Sequence, residues 1–419
     1  MAAFKYLGLE ATVTGDKIEA RCYAPPAIFF KDQVARVVDA VNSLKVIARK
    51  DGALVYNLYN PPQPTRAGFH AIERNIKAKI AGHPWPATAN LAITMRCQAN
   101  CVHCSASPFR NPLRRELATD EVKSVVTQAT DLGCTLVIFV GGEPLLRKDL
   151  FELIAHVDRD KAVPMVFTNG ALLTEDNVKR LADAGLYSMN ISIDSSDPDE
   201  HDRLRGLPGA FRKAVDGGKM ALEKGILVGI STYATAGRIA DGKVERLLQF
   251  GQKEGFNEVT IFDCIPSGRF LKRTDLVLSD EDKAKVTELA RRYHAMSHPM
   301  GVVAQAIVNS PQGAGCFGAW SEFYMTPYGD VAPCDFNPVS FGNLLEEPLK
   351  AVWKKMVRHR DFCYKHPTCR MQTPEYRARY IDILPDEALL PVPIEEIERL
   401  RAARPKTPVR EMGERQPAD

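Results

Sequence analysis

Between residues 88 and 300, short apolar runs alternate with longer amphipathic stretches. The runs 91–95, 135–140, 164–167, 188–193, 226–233 and 258–262 read as strands of a parallel sheet. Between and after them, 119–132, 149–157, 175–184, 208–224, 243–254 and 280–296 carry apolar residues at helical spacing. Gly133, Gly185 and Gly225 mark three helix ends, and Ser279 caps the last helix. Such alternation predicts right-handed crossovers and a parallel sheet. Six units fall short of a closed eight-strand barrel. The expected fold is therefore α/β, a partial (β/α)6 TIM-like barrel over 86–300.

Either side of that region the pattern changes. Residues 1–85 read as a small α/β cap. In it, 31–47 is a predicted helix with Val34, Val37, Val38, Val41 and Leu44 on one face, and 53–59 is a strand closed by Pro61 and Pro62. That helix has no large aromatic residues and no basic face, so it is expected to pack on its own domain and not on a membrane. Residues 301–385 leave the alternation and hold four further cysteines, a C-terminal cysteine-rich extension. The tail 386–419 is expected to be largely disordered after 404, where Pro, Arg, Lys and Glu dominate.

Composition narrows the classes. The 419 residues are 45% hydrophobic and 26% charged, ordinary for a globular protein. A net charge of +3 implies no nucleic-acid partner, and the longest apolar runs are too short for a membrane span. With no export signal read at its start, the chain is expected in the reducing cytoplasm, where ten cysteines serve metals or redox chemistry and not disulfides.

In barrels of this kind the chemistry gathers at the carboxyl ends of the strands. The first strand delivers Cys97-x-x-x-Cys101-x-x-Cys104 and the second Gly141-Gly142-Glu143-Pro144. The third delivers Thr168-Asn169, the fourth Asp194 and the sixth Asp263-Cys264. Three close thiolates suit three irons of a cubane cluster and leave the fourth iron open. Zinc is the other occupant, although its sites usually pair two Cys-x-x-Cys units, and His103 beside Cys104 would compete with it. A carboxylate such as Glu143 suits an ammonium group, and a Gly-Gly turn lets backbone approach a ligand closely. Cys264 is open to three readings: a hydrogen-atom donor, a neighbour of an auxiliary cluster, or an inert buried thiol. Arg269 points either into the cavity or into a surface turn, while Cys22 and Cys134 read as packing residues.

Together, the cysteine run and Gly141 to Pro144 on a partial barrel resemble the radical SAM superfamily over roughly residues 88–300. The resemblance implies a 4Fe–4S cluster on Cys97, Cys101 and Cys104, with S-adenosylmethionine on its fourth iron. Gly142 and Glu143 resemble the segment that receives the methionine amino group, within the turn Gly141 to Pro144. His103 stands where the family sets an aromatic ring against adenine. Ser192 and Asp194 resemble positions near the ribose, and Arg205 an arginine that steadies the carboxylate. Thr168 and Asn169 join them on the same rim as cofactor-binding residues. Cys316, Cys334, Cys363 and Cys369 are similar to the SPASM extension or its shorter form, Twitch. They are fewer than the full pattern and imply one auxiliary cluster, expected to be 4Fe–4S, with a structural zinc as the alternative. Four thiolates would saturate that cluster, which suits electron transfer.

The implied enzyme cleaves S-adenosylmethionine reductively and uses the 5′-deoxyadenosyl radical to take a hydrogen atom from a substrate. An auxiliary cluster accepting the substrate's electron makes the outcome a net oxidation or a cross-link. The substrate is a ribosomal peptide or a small metabolite, including tetrapyrrole or sugar-type precursors. An external electron donor such as flavodoxin or ferredoxin is required. The non-enzymatic alternative, an iron–sulfur carrier or assembly protein, accounts for the cysteines but not for Gly141 to Pro144.

Overall fold

The predicted alternation becomes one sheet of nine strands in a computed structural model that describes residues 4–403. The strands are β1 (Thr88–Thr94), β2 (Leu136–Gly141), β3 (Val163–Thr168), β4 (Ser188–Ser192), β5 (Leu227–Ala234), β6 (Glu258–Asp263), β7 (Gly301–Ala304), β8 (Glu322–Met325) and β9 (Val331–Ala332). Their order is β7-β6-β5-β4-β3-β2-β1-β8-β9, parallel except for β9 against β8. The six expected strands lie side by side in chain order. Three further strands extend the two edges, β7 beside β6 on one and β8 with β9 beyond it on the other, where Tyr324 of β8 faces Asn90 of β1. Among the described residues no strand pairing joins the two edges.

The helices follow the expected periods. Thr119–Leu132 buries Val122, Val125, Val126 and Ala129, and its Glu121 side chain accepts from the Ala118 backbone N–H at 2.7 Å. Lys243–Glu254 buries Val244, Leu247 and Leu248. Pro198–Arg205 is a helix the apolar pattern did not announce. Asp197 caps it by accepting from Glu200 N at 2.8 Å, Pro198 opens it, and only His201 and Arg205 are buried. Caps, not an apolar stripe, specify this segment.

At the amino end, three short antiparallel strands, Phe4–Tyr6, Leu9–Thr14 and Lys17–Cys22, precede the predicted helix. That helix is shorter than expected, Lys31–Asn42, and none of its residues is buried. Val41 packs beside Ala11, Val13, Ile18 and Leu54, while Val37 and Leu44 stay 41% and 51% exposed. The strand expected over 53–59 shrinks to Ala53–Val55, paired with Ala48–Lys50. The chain then turns under the amino ends of the barrel strands. Leu58 is fully buried and its N–H donates to Glu258 Oε2 at 3.1 Å. The Tyr59 hydroxyl lies 3.0 Å from Thr260 Oγ1 and accepts from Asn190 Nδ2 at 2.8 Å. This segment plugs the end of the sheet opposite the expected chemistry.

Toward the carboxyl end, the helix Leu349–Arg358 buries Trp353, whose indole N–H donates to Pro84 O at 2.9 Å. Val392–Pro393 pairs with Val339–Ser340, and Ile394–Ala403 is helical, so the first part of the expected tail is folded. The stretch expected to be disordered after 404 lies outside the described residues. Among the described residues no helix is long and apolar enough to cross a membrane.

The plug has a titration consequence. Glu258 is 1% exposed, and burial pushes its carboxyl up to about 8 against hydrogen bonds from Leu58 N and Thr260. Its folded value exceeds its unfolded one, so its stabilisation is complete below the ordinary carboxyl range and is lost as pH rises through about 8. Glu258→Gln keeps the neutral form throughout. Its Tm, followed by differential scanning fluorimetry, is expected to fall less than wild type between about pH 5 and about pH 9. An equal fall in both proteins would contradict this account.

Candidate functional site

The cysteine loop leaves β1 and is tied down at its backbone by three other loops. After β2, Gly142 N donates to Thr94 O at 2.7 Å and Glu143 N to Arg96 O at 2.8 Å. At the end of the helix Pro198–Arg205, the carbonyls of Leu204 and Arg205 accept from Val102 N at 3.0 Å and Asn100 N at 2.9 Å. After β6, Arg269 N donates to Cys104 O at 3.0 Å, and its guanidinium donates to Cys101 O at 2.8 Å and Asn100 Oδ1 at 2.5 Å. The Arg269 side chain is thus engaged by the loop. A Cβ on Gly142 would lie 2.3 Å from Arg96 O, and one on Gly268 would lie 2.2 Å from Cys104 O. Glycine is required at both, and Gly268 also adopts a φ of +55°.

These ties set the three thiols on the wall of a cavity of about 370 Å³ at the carboxyl end of the sheet. Cys97, Cys101, His103, Cys104, Gly141, Gly142, Thr168, Asn169, Ser192, Asp194, Arg205 and Cys264 all line it. Twelve of the expected residues, scattered over some 170 positions of sequence, therefore share one cavity. Glu143 and Pro144 are not among its lining residues. The Glu143 carboxylate is fully buried behind the wall and accepts from Thr168 Oγ1 and Asn169 N, both at 2.8 Å, and from Leu145 N at 3.2 Å. Burial pushes it up to about 7 despite those donors. Here it ties the β2 and β3 loops together. The Asn169 amide in turn points Nδ2 at Cys97 Sγ, 3.8 Å away, and its Oδ1 accepts from Gln98 at 3.2 Å.

Asp194 is the charged centre of the opposite wall. Its carboxylate is buried, lies 2.7 Å from Arg205 Nε and 3.4 Å from His103 Nε2, and its backbone carbonyl accepts from Arg238. Burial would raise its pKa, but Arg205, His103, His201 and Arg238 together hold it below the usual carboxylate range. Arg205 also reaches Cys101 Sγ at 3.8 Å. Burial pushes His103 down to about 4, so its ring is neutral, and it stacks 4.3 Å from the ring of Tyr233. Both Asp194 oxygens, Arg205 Nε and His103 Nδ1 are buried without a properly oriented hydrogen-bond partner. An ionised carboxylate in that state is costly, and hydroxyl donors on a ligand would satisfy it. The set fits a ribose and a base on this wall. Burial keeps Cys264, on the same wall, a protonated thiol at about 11.

Among the described residues no three His, Cys, Asp or Glu side chains converge closely enough to hold a single metal ion. Zinc would require that convergence. Thiols ringing a cavity at wider spacing suit a multinuclear cluster, where each iron takes its own thiolate.

A second cysteine group lies beyond the cavity wall. Cys316, Cys334 and Cys369 are all buried. A Cβ on Gly318 would lie 3.6 Å from Cys334 Cβ, and Cys316 N donates to His366 O at 2.9 Å, which brings the three segments together. Asp335 and Phe336, which follow Cys334, line the cavity. Cys363, expected with them, is exposed, and its thiol faces Arg360 O at 3.4 Å.

Residues 91–251 match the radical SAM superfamily, and residues 316–372 match SPASM, an iron–sulfur cluster-binding domain. An AdoMet-dependent heme synthase of Nitratidesulfovibrio vulgaris is 28% identical over 70% of this chain and 86% of its own. A PqqA peptide cyclase of Rhizobium meliloti is 26% identical over 64% of this chain and 74% of its own. Streptococcus suis SuiB bound to the precursor peptide SuiA superposes with a TM-score of 0.54 at 18% identity, covering 78% of this chain and 77% of that one. The enzyme anSMEcpe with bound AdoMet gives 0.51 at 17% identity, covering 68% and 90%. Both structural likenesses concern the fold.

The glycine constraint is directly testable. Gly142→Val is expected to displace the cysteine loop, so that anaerobic reconstitution yields about four irons per chain where wild type takes about eight. Iron analysis beside circular dichroism checks this; full iron in a folded variant would contradict it.

Proposed function

We propose, from the premise that this chain belongs to the radical SAM superfamily and carries a SPASM-type iron–sulfur domain, that it oxidises a carboxylate-bearing small molecule of the tetrapyrrole kind. The chain is an enzyme that takes a 4Fe–4S cluster with S-adenosylmethionine and an auxiliary iron–sulfur cluster. Bound together, cluster and S-adenosylmethionine supply reductive C–S cleavage and with it the 5′-deoxyadenosyl radical.

The chain's own residues do the positioning. In this reading Cys97, Cys101 and Cys104 hold the first cluster, and Asp194 with Ser192 takes the ribose hydroxyls. Neutral His103, backed by Tyr233, offers a flat face to the base. The backbone of Gly141 and Gly142 lets the methionine end come close, with Arg205 and Glu143 setting the charge around it. The thiols beyond Asp335 and Phe336 would hold the acceptor for the substrate's remaining electron. The external donor would be a ferredoxin or flavodoxin.

One observation carries the substrate class. The cavity is walled by Phe167, Tyr233, Phe262, Phe270, Tyr324 and Phe336, and exposed Arg110 stands on its lining. Aromatic walls with a cation beside them suit a flat apolar ring bearing carboxylate arms. The heme synthases among the relatives agree with it. A ribosomal peptide is the second reading, favoured by the exposed edge strands Phe4–Tyr6 and Lys17–Cys22 and by the peptide cyclase relative. An iron–sulfur carrier would need neither the cavity nor the Asp194 wall.

With dithionite as reductant, carboxylated tetrapyrroles are expected to raise 5′-deoxyadenosine formation above the substrate-free level. Arg110→Ala should raise KM about tenfold with kcat little changed. A peptide that stimulates the reaction where tetrapyrroles do not would overturn the proposal.

A further inference from the structure

The second cysteine group brings three thiols together, not four. The reason is local packing around Cys363. Phe362, one residue earlier, is buried to 1% and sits edge-on to Phe341 at 5.2 Å and to Tyr376 at 6.0 Å. Arg370, the residue after Cys369, lies over its ring at 4.9 Å. The same guanidinium donates to Asp361 O at 3.1 Å and Tyr364 O at 3.0 Å, which locks the turn 361–364 relative to Cys369. With Phe362 facing inward, Cys363 faces solvent. Bringing its thiol to the other three would require Phe362 to leave the core.

Cys264 also lines the cavity, but the charges acting on it are those of Arg273, Asp275 and Asp263 and not those of the three thiols. Asp263 and Asp335 line the cavity too. Asp263 is 5% exposed and its Oδ1 is buried without a partner. Its charge is felt at Cys369, as that of Asp335 is at Cys334, so both carboxyls lie near these thiols as well as on the cavity lining. Tyr324, also on the cavity lining, feels both Asp335 and Cys104.

We propose that the auxiliary cluster is held by three thiolates, from Cys316, Cys334 and Cys369, that its remaining iron opens toward the shared cavity, and that Cys363 is a surface thiol. The open position takes an oxygen or nitrogen donor, which lets the cluster hold a substrate as well as accept its electron. The inference rests on the iron–sulfur domain but not on the tetrapyrrole reading, and its test involves no substrate.

The full-length Cys97→Ala/Cys101→Ala/Cys104→Ala variant isolates the auxiliary cluster. Anaerobic reconstitution should load about four irons per chain, and adding Cys363→Ala should leave that number and the reduced-state EPR spectrum unchanged. Each of Cys316→Ala, Cys334→Ala and Cys369→Ala should lose the cluster. With 15N-imidazole as probe, pulsed EPR of the reduced cluster should show a directly bound nitrogen. Loss of iron or conversion of the spectrum on adding Cys363→Ala would overturn the proposal. So would a fully loaded cluster with no nitrogen coupling, since its fourth iron would then be occupied.

Discussion

The site depends on how closely the cysteine loop can be held by its neighbours. Its carbonyls and amides are tied to the loops after β2 and β6 and to the end of the helix Pro198–Arg205. At each contact a glycine removes the side chain that would hold the backbones apart. Side-chain ties alone would let three thiols wander on a loop. Backbone ties from three loops fix where each points before any iron arrives, which spares the entropy of ordering them on binding. The curved parallel sheet serves this arrangement, because it delivers those loops to a common rim.

Carboxyl groups in the fold divide by environment. Asp194 is buried among Arg205, His103, His201 and Arg238 and stays ionised with unused acceptors. Glu258, under the sheet, meets only neutral donors and is protonated at neutral pH. Glu143 lies between them at about 7, its oxygens taken by Thr168, Asn169 and Leu145. A positive group arriving on the cavity side would favour its ionised form. The carboxyl that looks most reactive in the motif is thus the one that fastens two loops, while the less conspicuous Asp194 presents its charge to the cavity.

Much of this was legible in the sequence, for reasons that also mark its limits. Six strands and most helices came from local apolar period, and helices such as Thr119–Leu132 form over the expected span. The rim chemistry was legible because strand ends put it there. Pro198–Arg205 escaped notice because its caps, not its polar sequence, carry the signal, although Asp197-Pro198 could have raised it. The strand β8 depends on pairing with β1 across more than two hundred residues, which no local period reports. Arg269 was read as facing either the cavity or a surface turn, and it lines the cavity while its guanidinium holds the cysteine loop; Glu143 was read as facing a ligand's ammonium group, and its carboxyl accepts from Thr168, Asn169 and Leu145. Cys363 follows the same lesson: a buried Phe362 turns it outward.

A first cysteine group lining the cavity, with a second beyond its Asp335 and Phe336 wall, is the claim from which the rest follows, since that arrangement would let one substrate lose a hydrogen atom and an electron in the same place. Paramagnetic clusters that close perturb each other's spectra. The most direct measurement is the EPR spectrum of the fully reduced holoenzyme, set against the sum of spectra from variants carrying one cluster each. The account predicts a broadened, split spectrum that the sum does not reproduce; a holoenzyme spectrum equal to that sum would contradict it.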